Sequence, residues 1–497
     1  MLKKKLQPGL YLLVLFITCL LIPATVSANT PKDITQEGVN FLTDPPTEKT
    51  VYTAGNGTVT YEPAQNGQGA VVTLENATIN GCQSTHYEGR NPATAAILMG
   101  GNVDMVLMGE NKITVTNEYA YGLFCYNGNL NVKGCGSLTI DIRVKLNGSR
   151  GISILNGKDA ADDMGNFTLT EGNITLSLLP NDYFYGLSAG KDVIVEEGAL
   201  SIKGGSCSVV SIKGDINIRN ATVSCKDFDN AGLYTFNGDI VVEGENTDLN
   251  IGALKDEPYS FGVYAEGQSG SPAILINGGT VDILAGQSGI YTGGGGNITI
   301  SGGRVSTKAE NTAADISAVG LWATGKVNVT GGTVYASGVA DTGVGIYSDV
   351  SIAVSGGDVT AKGTLQAISH VPDTGEYENP VIMAAPDFEG DRKEAFSAEK
   401  LESYRYLHIS SGYEQYKIHY ENGSATITAA ESAEVVVIFA AYDDSKRLID
   451  LEMKEISLSK GENVISTEHF TPGNGKIKVM LWDSMSYMIP ICCSETF

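Results

Sequence analysis

Short runs in which apolar and polar residues alternate recur along most of the chain, and glycine pairs separate them. Residues 320–336 hold two such runs, with Leu321, Val327, Val329 and Val334 apolar and Gly331-Gly332 between the runs. Alternation at period two predicts strands with one buried face, and the glycine pair predicts a turn. The phrase is repeated: Gly289-Ile290-Tyr291 leads to Ile298, Ile300, Gly302-Gly303 and Val305, and Gly345-Ile346-Tyr347 leads to Ile352, Val354, Gly356-Gly357 and Val359. Earlier copies open at Gly122, Gly151, Gly186, Gly232 and Gly262, mostly about 25 to 35 residues apart.

A unit this short cannot bury its own apolar face and must stack on copies of itself. Three short strands per unit predict an all-β chain built on a right-handed parallel β-helix of about eleven coils over residues 51–410, with rungs about 4.8 Å apart. Propeller blades would need four antiparallel strands in roughly 40 residues. No helical segments alternate with the strands, which removes α/β folds. From Thr364 the pattern gives way to Pro372, Pro380 and Pro386 among acids, and residues 404–409 read as a short strand closing the last coil. A second alternating region begins near Tyr413. Its Asn422-Gly423 hairpin signal and about seven strands within 413–497 predict a small β-sandwich of immunoglobulin or fibronectin type. Residues 29–50, with Pro45-Pro46, read as an extended leader.

The 60 glycines follow no three-residue period, which excludes collagen. Lys3, Lys4 and Lys5, the apolar residues 10–22 and the ending Val26-Ser27-Ala28 predict a secretory signal peptide over residues 1–28. Its removal moves the net charge from −24 to about −27 and places the protein outside the cell or on its surface. So negative a chain repels nucleic acid and anionic membranes and is compatible with neutral glycans, basic partners or calcium. The later apolar stretch at residues 435–442 is too short to cross a membrane and reads as a buried strand. Seven cysteines remain after processing, none with zinc-ligand spacing. Cys125 reads as a small core residue, and the spacing keeps a Cys207–Cys225 disulfide open.

Two candidate sites emerge. An aromatic stands two residues after the leading glycine in six copies: Phe124, Tyr234, Tyr264, Tyr291, Trp322 and Tyr347, with Ser153 and Ser188 in two others. If the residue between points inward, these point outward, and stacking aligns them as a ladder along one face. Such a ladder suits a glycan polymer; alternatively the rings stabilise neighbouring coils by packing on each other, or loops cover them. The second candidate is acidic: Asp159, Asp162 and Asp163 lie in an insertion near Arg150. Paired acids serve glycoside hydrolysis or hold calcium, whereas a solvated loop is the plain alternative. No Ser-His-Asp arrangement can be placed among five dispersed histidines.

The repeats Ile298-Thr299-Ile300-Ser301-Gly302-Gly303-Arg304-Val305 and Val327-Asn328-Val329-Thr330-Gly331-Gly332-Thr333-Val334 resemble those of β-helix carbohydrate-binding-domain-containing surface proteins of Gram-positive, clostridial-type bacteria. The resemblance covers roughly residues 95–410. Residues 436–442 and 478–484 are similar to a small sandwich module appended to many such exported proteins. The resemblance implies a β-helix that binds glycan at a surface and assigns no individual residue. The leading expectation is a secreted, non-catalytic carbohydrate-binding protein. The alternatives are a β-helix polysaccharide lyase or hydrolase acting at the acidic insertion, and an adhesin whose rod is a spacer and whose sandwich meets a protein partner.

Overall fold

The computed structural model describes residues 31–497 apart from 87–91, 145–148, 156–164, 180–183, 256, 268–272, 314, 378–379, 392, 412–415, 422, 430–431, 444–446, 468–475, 483–494 and 497. The signal-peptide segment therefore lies outside the described residues.

Its main body is a parallel β-solenoid of about ten turns. Eleven parallel strands, from Ala93–Gly100 to Gln366–Ile368, stack in register as a first wall, with ten turns of chain between the first and the last. Two further walls carry the rest of each turn. In earlier coils they are separate strands, such as Ile216–Arg219 and Thr222–Phe228. In later coils they fuse into single strands of 13 or 14 residues: Ala273–Ala285, Asn297–Glu310, Lys326–Val339 and Ser351–Gly363. The glycine pair, read above as a turn, is thus a bend inside a strand. Gly303, Gly332 and Gly357 adopt φ of 78°, 79° and 82°. A side chain on each would also lie 2.5 or 2.6 Å from a carbonyl oxygen of the pair beneath, so only glycine fits.

Inward positions of all three walls form one buried cluster of Ile, Val and Leu, including Leu321, Val327, Val329 and Val334. The leading glycines belong to this interior. A Cβ on Gly122, Gly232 or Gly262 would collide with Cγ2 of Ile140, Ile251 or Ile283 and stand 2.5–2.7 Å from the next coil's glycine oxygen. The first wall approaches the third so closely that a large residue on the third wall leaves room only for glycine on the first. At the weakest repeat the pair is changed together: Ser208 stands in the glycine column, and Cys225 replaces the isoleucine of its neighbours Ile202 and Ile251. Cys225 is accordingly the small partner of Ser208. Cys207 points to the other side of the wall, packed with Val210 and Ala231, and Cys225 to the interior. Opposite faces keep the two thiols apart, and both are free. Burial pushes each up to about 12.

Polar ladders hold the corners. In six successive coils, from Asn102 to Asp239, the residue before the second-wall strand is Asn or Asp, and the side-chain oxygen of each of the first five accepts the backbone N–H of its counterpart one coil on. The series runs Asn102 to Asn129 (3.0 Å), Asn129 to Asn166 (2.9 Å), Asn166 to Asp192 (3.2 Å), Asp192 to Asp215 (3.0 Å) and Asp215 to Asp239 (2.9 Å). At the end of the first wall, buried hydroxyls close the turn from inside: Thr235 donates to the Gly214 oxygen (2.9 Å), Thr292 to that of Gly296 (2.8 Å) and Ser348 to that of Gly325 (2.7 Å). Each bond satisfies a main-chain group that a tight, buried corner would otherwise orphan.

Both ends are covered. Residues 31–50, expected as a leader, enter the stack: Val39 pairs with Ile97, and Ile34, Val39 and Phe41 are buried. At the other end Tyr406–Ser411 pairs antiparallel with the last coil (Val359 with Ile409), which closes the open edge as expected. Lys362 anchors that cover, its ammonium 5.5–5.8 Å from the ring centres of Tyr335, Phe388 and Tyr406. Beyond it, Tyr416–Glu421, Ser424–Ala429 and Gly461–Ser466 make one antiparallel sheet, and Ala433–Tyr442, Leu448–Leu458, Lys476–Trp482 and Glu495–Thr496 another. Their inner faces share a core of Ile418, Ile427, Val437, Phe439 and Val479, as a sandwich requires.

The steric pairing is testable. Gly262→Ser should destabilise the solenoid by about 1–3 kcal/mol through overpacking. Adding Ile283→Cys, which recreates the Ser208/Cys225 pair, should recover most of that loss in denaturant melts. Additive losses in the double variant would contradict the proposed complementarity.

Candidate functional site

Register on the first wall decides which of the predicted rings meet. Tyr234 pairs with Tyr264, Tyr264 with Tyr291, Tyr291 with Trp322 and Trp322 with Tyr347. These five half-buried residues form an unbroken strip over five coils. Phe124 stands in the same column but is separated from them by Ser153, Ser188 and Val210. It is also fully buried, packed with Leu98 and Tyr126 and against Leu42 and Tyr121. The N-terminal segment contributes Leu42 to this cluster, and Phe124, fully buried within it, drops out of any surface site. Between the two groups of rings, Arg150 bonds the Ser153 and Ser188 hydroxyls (3.2 and 3.1 Å) and lies 5.0 Å over the Tyr185 ring.

Within the strip the rings pack on each other. Tyr234 and Tyr264 are near parallel at 4.9 Å and 26°, followed by edge-to-face pairs Tyr264–Tyr291 (4.9 Å, 68°), Tyr291–Trp322 (5.0 Å, 75°) and Trp322–Tyr347 (5.9 Å, 77°). Aromatic pairs favour such offset and edge contacts over flat sandwiches. In each edge-to-face pair at most one ring can lie flat toward a ligand. Ring faces offered to a ligand can therefore recur no more often than every two coils among these pairs, about 10 Å apart at ~4.8 Å per rung. The indole Nε1 of Trp322 has no acceptor among the described residues.

Four neighbours escaped the sequence reading. Phe261 packs against Tyr264 and Tyr291 (4.7 and 5.4 Å), and Phe236 against Tyr234 (4.5 Å). Glu266 accepts a hydrogen bond from the Tyr234 hydroxyl, and Asp349 lies close enough to influence Tyr291 and Tyr347. Phe236, Glu266 and Asp349 stand two residues after a strip aromatic, the next outward position at period two. That spacing was the available signal. Burial is the main cause that raises Tyr234, Tyr264, Tyr291 and Tyr347 above the ordinary phenol value. The carboxylate of Glu266 adds to it at Tyr234 and Tyr264, both Asp349 and Glu266 add at Tyr291, and Asp349 adds at Tyr347.

The acidic candidates Asp159, Asp162 and Asp163 lie outside the described residues. Among the described residues no group of three or more His, Cys, Asp or Glu is placed to hold a metal, and no helix is long and apolar enough to cross a membrane. A hollow on the second wall, lined by Glu196, Asn217, Arg219 and Glu243 among others, contains no aromatic ring, and its guanidinium is paired with Glu243 (3.6 Å).

Burial of the strip has a pH signature. Tyr264 is pushed from 10.0 up to about 12, so its contribution to stability is complete below pH 10 and is lost as the pH climbs through about 12. Denaturation midpoints should fall over that window, and less steeply in Tyr264→Phe than in the parent chain. Identical alkaline profiles would mean that the phenol is not sheltered. No protein-family model, curated protein or solved structure matches the chain, so the strip is interpreted from its own chemistry.

Proposed function

We propose that the protein is an exported, non-catalytic carbohydrate-binding protein of the cell surface, which holds a glycan polymer along the strip from Tyr234 to Tyr347. The observation that carries this reading is the unbroken alignment of Tyr234, Tyr264, Tyr291, Trp322 and Tyr347 on one wall. Pyranose rings carry apolar C–H faces that pack on aromatic faces, and a one-dimensional strip suits a one-dimensional ligand. Ring faces presented two coils apart would repeat at about 10 Å, on the scale of a disaccharide. Alternate units of a polymer whose successive sugars are flipped could then meet equivalent rings. The signal-peptide pattern of residues 1–28 supports export, and the net charge of −24 disfavours phosphate-bearing polymers as ligands.

A protein partner for the C-terminal sheets is the second reading. Ile449, Leu451 and Met453 stand exposed along the edge strand Leu448–Leu458, and an apolar sheet edge is a place where another chain can add.

Affinity pull-down on a panel of insoluble polysaccharides separates the two. A Tyr264→Ala/Tyr291→Ala/Trp322→Ala variant that keeps its β-sheet circular dichroism should lose binding by a factor of about 100 or more, since each stacking ring contributes on the order of 1 kcal/mol. Undiminished binding would remove the strip from the account. If Leu451→Lys abolished that retained binding, the function would pass to the edge strand.

A further inference from the structure

We propose that the strip selects glycans bearing free amino groups, namely polymers of unacetylated hexosamine, over their neutral or acetylated counterparts. This deepens the carbohydrate reading and rests on it. The column beside the strip is Phe236, Glu266, Gly293, Thr324 and Asp349, one residue per coil. It sets two carboxylates three coils apart, about 14 Å at ~4.8 Å per rung. Gly293 and Thr324 between them are small, so the column is low beside Tyr291 and Trp322, and a polymer on those rings would have a carboxylate at either end. Glu266 is tied to the strip itself through the Tyr234 hydroxyl.

Within the strip's own strands no positive charge offsets them; the nearest along the chain is Lys326, which opens the strand after Thr324. The five strands Ala231–Thr235, Phe261–Ala265, Ser288–Thr292, Val319–Ala323 and Val344–Ser348 contain no Lys, Arg or His. The segments leading into them carry Asp229, Glu257, Asp315 and Asp341 against Lys255 among the described residues. An ammonium group on the sugar would find carboxylate acceptors for charge-assisted hydrogen bonds and ring faces whose quadrupole attracts cations. Acetylation removes that charge and adds bulk. The tyrosines of the strip respond to the same field, since the carboxylates reinforce burial in raising Tyr264, Tyr291 and Tyr347.

The test is calorimetric titration of the full mature chain with β-linked glucosamine hexamers and N-acetylglucosamine hexamers, at low and high salt. The amino oligomer should bind about tenfold more tightly at low salt, as expected of one or two charge-assisted contacts. Glu266→Gln/Asp349→Asn should erase that preference, whereas Glu243→Gln/Asp248→Asn, on the other walls, should leave it intact. Equal binding of both oligomers would overturn the charge selection and leave the carbohydrate reading standing. A preference that survives in Glu266→Gln/Asp349→Asn would reduce it to the general acidity of the chain and overturn it as well. Failure of both oligomers, together with every member of the polysaccharide panel, would overturn the carbohydrate reading itself.

Discussion

The solenoid and everything displayed on it depend on in-register parallel stacking. A coil of about thirty residues has no core of its own; its inward Ile, Val and Leu are buried by the coils above and below and by the other two walls. Register then acts as a copying rule. A residue that follows an inward position on one coil must stand about 4.8 Å from its counterpart on the next. The interior columns, the glycine column, the Asx ladder and the aromatic strip are outcomes of that one rule applied at different lateral positions. The tightest place is the approach of the first wall to the third. There glycine faces isoleucine in coils such as those of Gly122, Gly232 and Gly262, and serine faces cysteine at Ser208, which keeps the interior filled without collision.

Much of this was legible in the chain itself, because period-two alternation and repeat spacing report directly on inward and outward positions. Leu321, Val327, Val329 and Val334 were assigned inward on that basis and are buried. The outward column of Tyr234 to Tyr347 followed by the same parity. What parity does not carry is contact between segments remote in sequence. Phe124 obeys the pattern, yet Leu42, from a segment that reads as a leader, lies against it. Cys207 and Cys225 are near in sequence but occupy opposite faces of the sheet structure, and simple alternation misses this, because Cys207 shares the parity of the inward Val209 yet packs outside with Val210. The glycine pair signals a break in strand geometry, and only the register across neighbouring coils shows that the strand continues through it. The Asx residues from Asn102 to Asp239 carry no signal of their own in the sequence, since their role as acceptors for the next coil depends on stacking.

The same rule frames the functional reading. Evolution of a repeat surface works column by column, and here one column is given to rings and the next to a mixture that places Glu266 and Asp349 at its ends. Rings that pack edge to face stabilise the stack, and they also leave a corrugated apolar strip whose period is set by the coil and not by individual loops. Covers at both ends, formed by residues 31–50 and by Tyr406–Ser411, block continuation of the sheets into another copy. The strip itself spans five coils and ends where Val210 replaces a ring beside Tyr234, a finite footprint suited to a few sugar units of a longer chain.

The strip carries one of only two tryptophans in the chain, Trp322, the other being Trp482. A Trp482→Phe chain makes Trp322 the sole indole reporter. Titration with the glycan selected by pull-down should change its emission saturably, at the concentrations where binding is seen by calorimetry. Binding that saturates in the calorimeter while the Trp322 emission stays unchanged would place the ligand elsewhere and contradict the account.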